Sequence, residues 1–395
     1  MDPALTFDLT QYFTPEDLTR GHDRWLLANS IAFTEVAVEL FVLWALTFSR
    51  AGTSLWNRCV RWTGGGTPGP FDRVLGPEWR AAGLFLLLGE SLAFAASFPG
   101  TFARTFWVAH AYGISTEGLA SFFRRQAINL SFGATTLAIL GPVLGGARRR
   151  WPGRWWLAVG VSAAVLIVAD AVIEPLWQNV NYSVQPMADG PLRQRLQTFL
   201  SAQHVEVGEL MVIDASRYGS GVDAFVTGFG PTRRLVLTDT LVAFGEEAVL
   251  GAVGHEIGHR RGERLPGRLA LAAATMVLLL WLVECAFRFT IARGARHEAQ
   301  ALPFVIASLA LVFLAVLPLR TAFIRSEERE ADAVELSLRR DYDAYIQEQV
   351  RLVRSNALDP LPSPFARLLG DHPCAAERIG RALEYKARAT RGSGL

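Results

Sequence analysis

The stretch VGHEIGH, Val253 to His259, sets two histidines four residues apart with a glutamate directly after the first. Residues i and i+4 of an α-helix stand about 40° apart on its circumference and one turn along its axis, so two such imidazoles can reach one ion. The flanking residues support a helix. "GEEAVLGAVGHEIGHRR" (245–261) opens with acids and closes with arginines, the distribution a helix dipole favours. Val249, Val253 and Ile257 recur at i, i+4 and i+8 and take one face, which leaves His255 and His259 on another.

Zinc accepts two imidazole nitrogens in this way, but a catalytic site needs a third protein ligand and an open position for water. Glu256 lies next to the histidine face, placed to take a proton from that water and pass it to a leaving amine. A bare H-E-x-x-H also arises by chance, and the competing reading is a solvated helix end with incidental histidines. Further along, "FIRSEEREADAVEL" (323–336) is acidic and helical. Glu327, Glu328, Glu330, Asp332 and Glu335 are all candidates for the third ligand, and composition does not choose among them, because an acidic helix is ordinarily a solvated face.

The chain around the motif is not that of a soluble enzyme. Of 395 residues, 51% are hydrophobic and 19% charged, and the apolar residues are bunched. About 20 apolar residues span a bilayer core as a helix. Stretches of that kind run roughly over 26–48, 81–99, 126–146 and 155–177, then 268–290 and 301–322. A net charge of +2 gives no reason to expect nucleic acid as a partner. Cys59, Cys285 and Cys374 are scattered, with neither a disulfide framework nor a cysteine metal site. The polar, acidic first 25 residues do not read as a cleavable signal peptide, and the terminal "RGSGL" has no prenylation cysteine. A single lysine, Lys386, among many arginines suggests a GC-rich bacterial genome.

Between the two groups of spans the pattern changes. "DGPLRQRLQTFLSAQ" (189–203) has helical spacing, while "ELMVIDAS" (209–216), "DAFVTGF" (223–229) and "RRLVLTDTL" (233–241) alternate and are β-rich, with "GPT" as a turn between the last two. "GGGTPGP" (64–70) reads as a loop. The expected fold is therefore mainly α: about six transmembrane helices with an α+β zincin-type protease domain, a small β-sheet plus the H-E-x-x-H helix. Residues 1–180 hold four spans, 181–266 the first part of the protease domain, 267–322 two more spans, and 323–395 the second part with the third ligand.

The pair "GHEIGH" and "ExxAD", followed by "HPxxxERI", resembles the type I CAAX prenyl endopeptidases, integral-membrane zinc metallopeptidases of the gluzincin type. The resemblance implies Glu328 as the third zinc ligand, Asp332 behind the ligands, and Arg325 as the family's preceding arginine. "DHPCAAERI" (371–379) then makes His372 a partner for the substrate carbonyl or oxyanion and Arg378 a structural support. "VTGFGPTRRLVLTDTL" resembles the strand pair before the family's zinc helix, with Asp223, Ala224 and Phe225 at the substrate strand; the family carries asparagine where this chain has Asp223. "EPLWQNVNYSVQPMADGPLRQRL" and "RTFWVAHAYGIS" extend the similarity over roughly 80–390. The heat-shock membrane proteases share the zinc motifs with a shorter N-terminal membrane part, and the four leading spans favour the prenyl-endopeptidase type.

Several carboxylates lie at membrane depth: Glu35 and Glu39 at i and i+4, then Glu90, Asp170, Glu174 and Glu284. Ionisable groups in hydrocarbon face protein or a watery cavity. The resemblance implies a water-filled chamber they could line; the alternative is pairing with arginines such as Arg80 and Arg288. The resemblance also turns the protease face toward the cytoplasm, of the bacterial inner membrane if the source is bacterial. The arginine counts of the loops (five in 50–80, four in 147–154, two in 1–25, three in 100–125) point the other way under the positive-inside rule.

The expectation is a multi-pass zinc metalloendopeptidase with one Zn2+ on His255, His259 and Glu328, and Glu256 and His372 as catalytic residues. Its partners would be membrane lipid and a peptide or protein substrate, prenylated if the resemblance holds in full. Two alternatives stand beside it: a membrane-protein quality-control protease without prenyl specificity, and a non-catalytic membrane scaffold that keeps a zinc fold.

Overall fold

The structure is a computed structural model and describes residues 7–64, 69–152, 154–155, 160, 182–227, 233–261, 265–293 and 298–392. Helix α1, Pro15–Phe48, starts at a capping box in which Thr14 and Asp17 bond each other's backbone amides, with proline at the first helical position. α2 (Arg50–Thr63) follows after one residue, α3 (Pro70–Leu75) is short, and α4 (Trp79–Phe102) continues through a π-helical segment, Ala103–Val108, to Ala111. α5 is Leu119–Arg150. Among the described residues, five stretches are long and apolar enough to cross a membrane: Pro15–Phe48, Trp79–Ala111, Leu119–Arg150, Ala274–Ala292 and Gln300–Arg339. They match five of the six expected spans. The sixth, at 155–177, lies outside the described residues but for residues 155 and 160, as does the expected "GPT" turn.

α2 was not foreseen. It is amphipathic, burying Trp56 and Cys59 against Ala81, Ala82 and Phe85 of α4, while its arginines are exposed. The reversal from α1 into α2 requires glycine at 52, because a Cβ there would run into the Leu46 carbonyl. Elsewhere the spans present large apolar groups outward, Phe132, Val277, Trp281 and Phe313 among them, as a hydrocarbon solvent permits.

The intramembrane carboxylates in the described residues are mostly paired rather than free. Glu35 accepts two hydrogen bonds of 3.0 Å from Arg104 across α1 and α4, and Glu39 accepts one of 2.9 Å from Ser97. Glu284 meets Arg288 at 2.8 Å and Arg148 at 3.3 Å, while Arg80 pairs with Asp72 instead. Glu90 is half-buried, and Asp170 and Glu174 lie outside the described residues.

The protease part begins with β1 (Val184–Pro186), a strand the sequence pattern did not announce, and α6 (Pro191–Ala202). β2 (Glu209–Ile213), β3 (Ala224–Thr227) and β4 (Arg234–Thr238) follow where alternation placed them. The sheet order is β1-β2-β4-β3, with β2 and β4 parallel and the other pairs antiparallel. Among the described residues β3 is an edge strand. α7 (Asp239–Phe244) leads into α8 (Glu246–Arg261). Val249, Val253 and Ile257 are 0%, 1% and 2% exposed, so the face predicted to be apolar is the one packed on the sheet, with Leu196, Leu235 and Leu237. Each such burial stabilises the fold by about 1.5–3 kcal/mol.

α9 spans Leu265–Ala292 and α10 runs unbroken from Glu298 to Arg339. The last expected span (301–322) and the acidic helix (323–336) are thus one helix of about 60 Å. α11 (Tyr342–Asn356), α12 (Pro364–Leu369) and α13 (Ala375–Gly392) close the protease part. The membrane and protease parts are stitched together. Phe13 packs among Tyr345, Ile346 and Ile379, Arg354 pairs with Asp17 at 3.1 Å, and Thr116, after α4, bonds the Tyr218 carbonyl at 3.2 Å.

Candidate metal centre

α8 and α10 cross at very short range because small residues meet there. A Cβ on Gly258 would lie 2.5 Å from the Ala331 Cα and 2.9 Å from its carbonyl oxygen, and one on Gly251 would meet the side chains of Arg339 and Glu335. The missing side chain at Gly258 therefore lets the histidine helix lie directly on the acidic one. The consequence is that the acidic segment is not a solvated face. Glu327, Glu328, Asp332 and Glu335 are all buried.

Of the five acids left open by composition, Glu328 is the one that meets both histidines. Its Oε2 is 3.2 Å from His255 Nε2, its Oε1 is 3.2 Å from His259 Nε2, and the two Nε2 atoms are 3.1 Å apart. Ligand atoms on a tetrahedral zinc at about 2.0–2.1 Å would be about 3.3 Å from one another. Two imidazoles and a carboxylate at this spacing are a donor set suited to such an ion, so the residues present fit a metal. Glu256 offers a carboxylate oxygen within 4.8 Å of both histidines.

Behind the three donors lies a second layer of contacts. His255 Nδ1 is 3.1 Å from Asp332 Oδ1, and Arg378 Nε donates to Asp332 Oδ2 at 3.0 Å. Arg378 Nη2 also donates to Glu328 Oε2 at 3.3 Å. Asp332 thus orients the His255 ring so that Nε2 points at Glu328, and Arg378 fixes both carboxylates. Arg325 does something different from its neighbours: it donates to the Gly370 carbonyl, two residues before His372, and so tethers that loop rather than the donors. His372 Nε2 sits 3.4 Å from Glu328 Oε2, with Nδ1 held 2.9 Å from Asp371.

Electrostatics follow the same geometry. Burial alone would lower the His255 pKa, but its bonds to Asp332 and Glu328 push it up to about 10. The carboxylates therefore create a strong preference for positive charge between the rings. Burial raises Glu256 above the ordinary carboxylate range while the His259 and His255 rings pull it back. Burial also raises Asp223, against its bond to the Ala224 amide and the nearby His372 and His255.

These groups open onto a cavity of about 330 Å³ that Asp223, Ala224 and Phe225 line on the β3 side. Its other walls are mixed: Leu241, Phe244 and Leu352 supply apolar surface, and Glu348 and Gln349 supply polar groups. The sequence reading missed those walls and the buried network behind them, in which Arg339 bridges Glu335 at 3.3 Å and Glu348 at 2.6 Å. The i, i+4 spacing of Glu335 and Arg339 was the available signal; Glu348, on α11, gave none.

Comparison with known proteins agrees with this geometry. The profile of Peptidase family M48 matches residues 186–386. A Bacillus subtilis protein described as uncharacterized metalloprotease YhfN is 24% identical over 95% of this chain and 87% of its own length. CAAX prenyl protease 1 homologs from Arabidopsis thaliana and mouse are 24% and 22% identical, covering 60% and 77% of this chain. The chain spans 56% of the Arabidopsis protein's length and 74% of the mouse protein's. The crystal structure of Saccharomyces mikatae Ste24p superposes with a TM-score of 0.79 at 18% identity, over 97% of this chain and 93% of that one. The fold is the same.

Proposed function

The chain belongs to peptidase family M48 and is an integral-membrane metalloendopeptidase, and we propose that it uses one zinc ion held by His255, His259 and Glu328. The observation that carries this reading is the convergence of two imidazole nitrogens 3.1 Å apart on one carboxylate, each 3.2 Å from one of its two oxygens, with Glu256 alongside. The ion would supply Lewis acidity and make an attacking water acidic enough to ionise near neutral pH.

The chain's own residues do the rest. A peptide lies extended along the free edge of β3, its backbone pairing with Ala224 and Phe225. The apolar walls take a side chain next to the scissile bond and exclude water from it. Glu256 removes a proton from the attacking water at its carboxylate and returns it to the leaving amine. His372, oriented by Asp371, donates from Nε2 toward the carbonyl oxygen as charge develops there. Asp332 keeps the His255 ring in the tautomer that leaves Nε2 free, Arg378 holds Glu328 in place, and Arg325 steadies the loop carrying His372.

For the substrate we propose a membrane-anchored peptide, prenylated near its C-terminus, cut close to the lipidated cysteine. The support is the apolar patch of Leu241, Phe244 and Leu352 in the cavity beside the donors and the names of the CAAX prenyl protease relatives. The protease face is proposed to be cytoplasmic. The test measures bound zinc, then assays the purified protein and its Glu256→Gln variant on a farnesylated and a plain peptide. Zinc retained with cleavage reduced about 10²–10⁴-fold is expected. Activity surviving Glu256→Gln would remove Glu256 from the chemistry. Resistance of the farnesylated peptide, with broad cleavage of unfolded membrane proteins, would replace the substrate assignment by quality-control proteolysis.

A further inference from the structure

At the other end of the long helix α10, about 40 Å along its axis from Glu328 at 1.5 Å per residue, the ends of three spans meet around a cavity of about 400 Å³. Its walls come from the last turn of α1, one side of α2 from Arg50 to Arg61, Arg293 just past α9, and Gln300 in the first turn of α10. Arg50, Arg61 and Arg293 all line it, and among the described residues no carboxylate does. Among the described residues none of the three guanidiniums has an ion-pair partner. Three like charges around one hollow repel each other unless an anion sits between them.

Two further observations say what kind of anion. Gln300 is buried, and its Nε2 donates to the Thr47 carbonyl at 3.1 Å and to Thr53 Oγ1 at 3.0 Å. A carbonyl only accepts, so the amide orientation is fixed and Oε1 is the atom left over; it is buried without a hydrogen-bond partner. An acceptor left unpaired at the floor of a cationic cavity calls for a donor on the ligand, such as a hydroxyl. Below the arginines the wall is aromatic. Phe48 lies 5.2 Å from Phe304 and 6.4 Å from Phe289, Arg293 stacks over Phe289 at 4.9 Å, and the outward-facing Trp44 continues the strip down α1. A charged head above an apolar strip, at the level where three spans end, is the profile of an interfacial lipid.

We propose that this cavity binds the phosphate of an anionic phospholipid whose headgroup carries a hydroxyl, in the leaflet away from the metal centre. The three arginines take the phosphate oxygens, Gln300 Oε1 accepts from the headgroup hydroxyl, and the acyl chains run along Phe48 and Trp44. The bound lipid neutralises the arginines and ties α1, α2, α9 and α10 together at that surface.

The experiment uses the full-length, delipidated protein in detergent, with phosphatidylglycerol, phosphatidylcholine and inorganic phosphate as separate probes, read by native mass spectrometry and thermal unfolding. Phosphatidylglycerol is expected to stay bound and to raise the melting temperature, with little effect from the other two. The triple variant Arg50→Gln/Arg61→Gln/Arg293→Gln should lose about ten-fold or more in lipid retention, since each charge-assisted phosphate contact is a strong one. Arg58→Gln, on the exposed side of α2, should bind as before. If the triple variant does not fold, Arg293→Gln alone and the salt dependence of wild-type retention carry the test. Equal protection by inorganic phosphate would make this a soluble-phosphate site and overturn the lipid assignment. Equal retention of phosphatidylcholine, or unchanged retention in the arginine variants, would overturn the proposal altogether.

Discussion

The two halves of helix α10 invert the usual rule of burial. Its N-terminal half is apolar, yet Leu311, Phe313 and Leu319 are exposed; its C-terminal half is acidic, yet Glu327, Glu328, Asp332 and Glu335 are buried. The reason is that the two halves have different surroundings. Leu and Phe facing lipid cost nothing, while carboxylates inside protein are tolerable only where cations and hydrogen bonds meet them. In the second half those partners are His255, His259, Arg378 and Arg339. One continuous helix thus couples the bilayer to the reaction centre, and each half is sensitive to a different kind of substitution.

The largest effect should come from the acidic half. Glu328→Gln removes the only donor that does not come from α8, and bound metal should fall well below one per chain with cleavage down about 10³-fold or more, because the metal supplies several kcal/mol of transition-state stabilisation. Metal content measured beside rate checks it; full metal with full activity would end the three-donor assignment. A charge placed in the apolar half should act on insertion instead. Leu311→Arg faces lipid near mid-span and should cost about 3 kcal/mol there, seen as reduced membrane yield with normal specific activity in whatever protein inserts. The smallest effect is expected one step behind the donors. Asp332→Asn keeps the shape but weakens the hold on His255, and should cost about 10–100-fold in metal affinity, read by competition with a chelator; an unchanged affinity would mean that Asp332 merely fills space.

Local pattern made much of this legible. The α8 helix and its apolar face followed from periodicity, because Val249, Val253 and Ile257 repeat at the helical interval and had to bury. The three strands lie inside the alternating stretches that announced them, with ends up to three residues short. Amphipathic α2 was overlooked because its 14 residues are too short and too charged to register as a span, and β1 because three residues carry no period. Choosing Glu328 among five acids needed the family resemblance. Helical pitch alone allowed several of them to face the same way.

Residue type and spacing determined by themselves that two imidazoles could share one ion, that a glutamate stood beside them, and that the chain had to cross a membrane. Only the tertiary structure decided that Gly258 lies against Ala331, that a carboxylate 69 positions beyond His259 meets both rings, and that two arginines of α2 and one just past α9 surround one hollow. The difference is physical. Periodicity is a short-range property fixed by backbone geometry, whereas a donor triangle depends on how closely two helices approach, and that distance is set by side chains whose partners lie far away in the sequence.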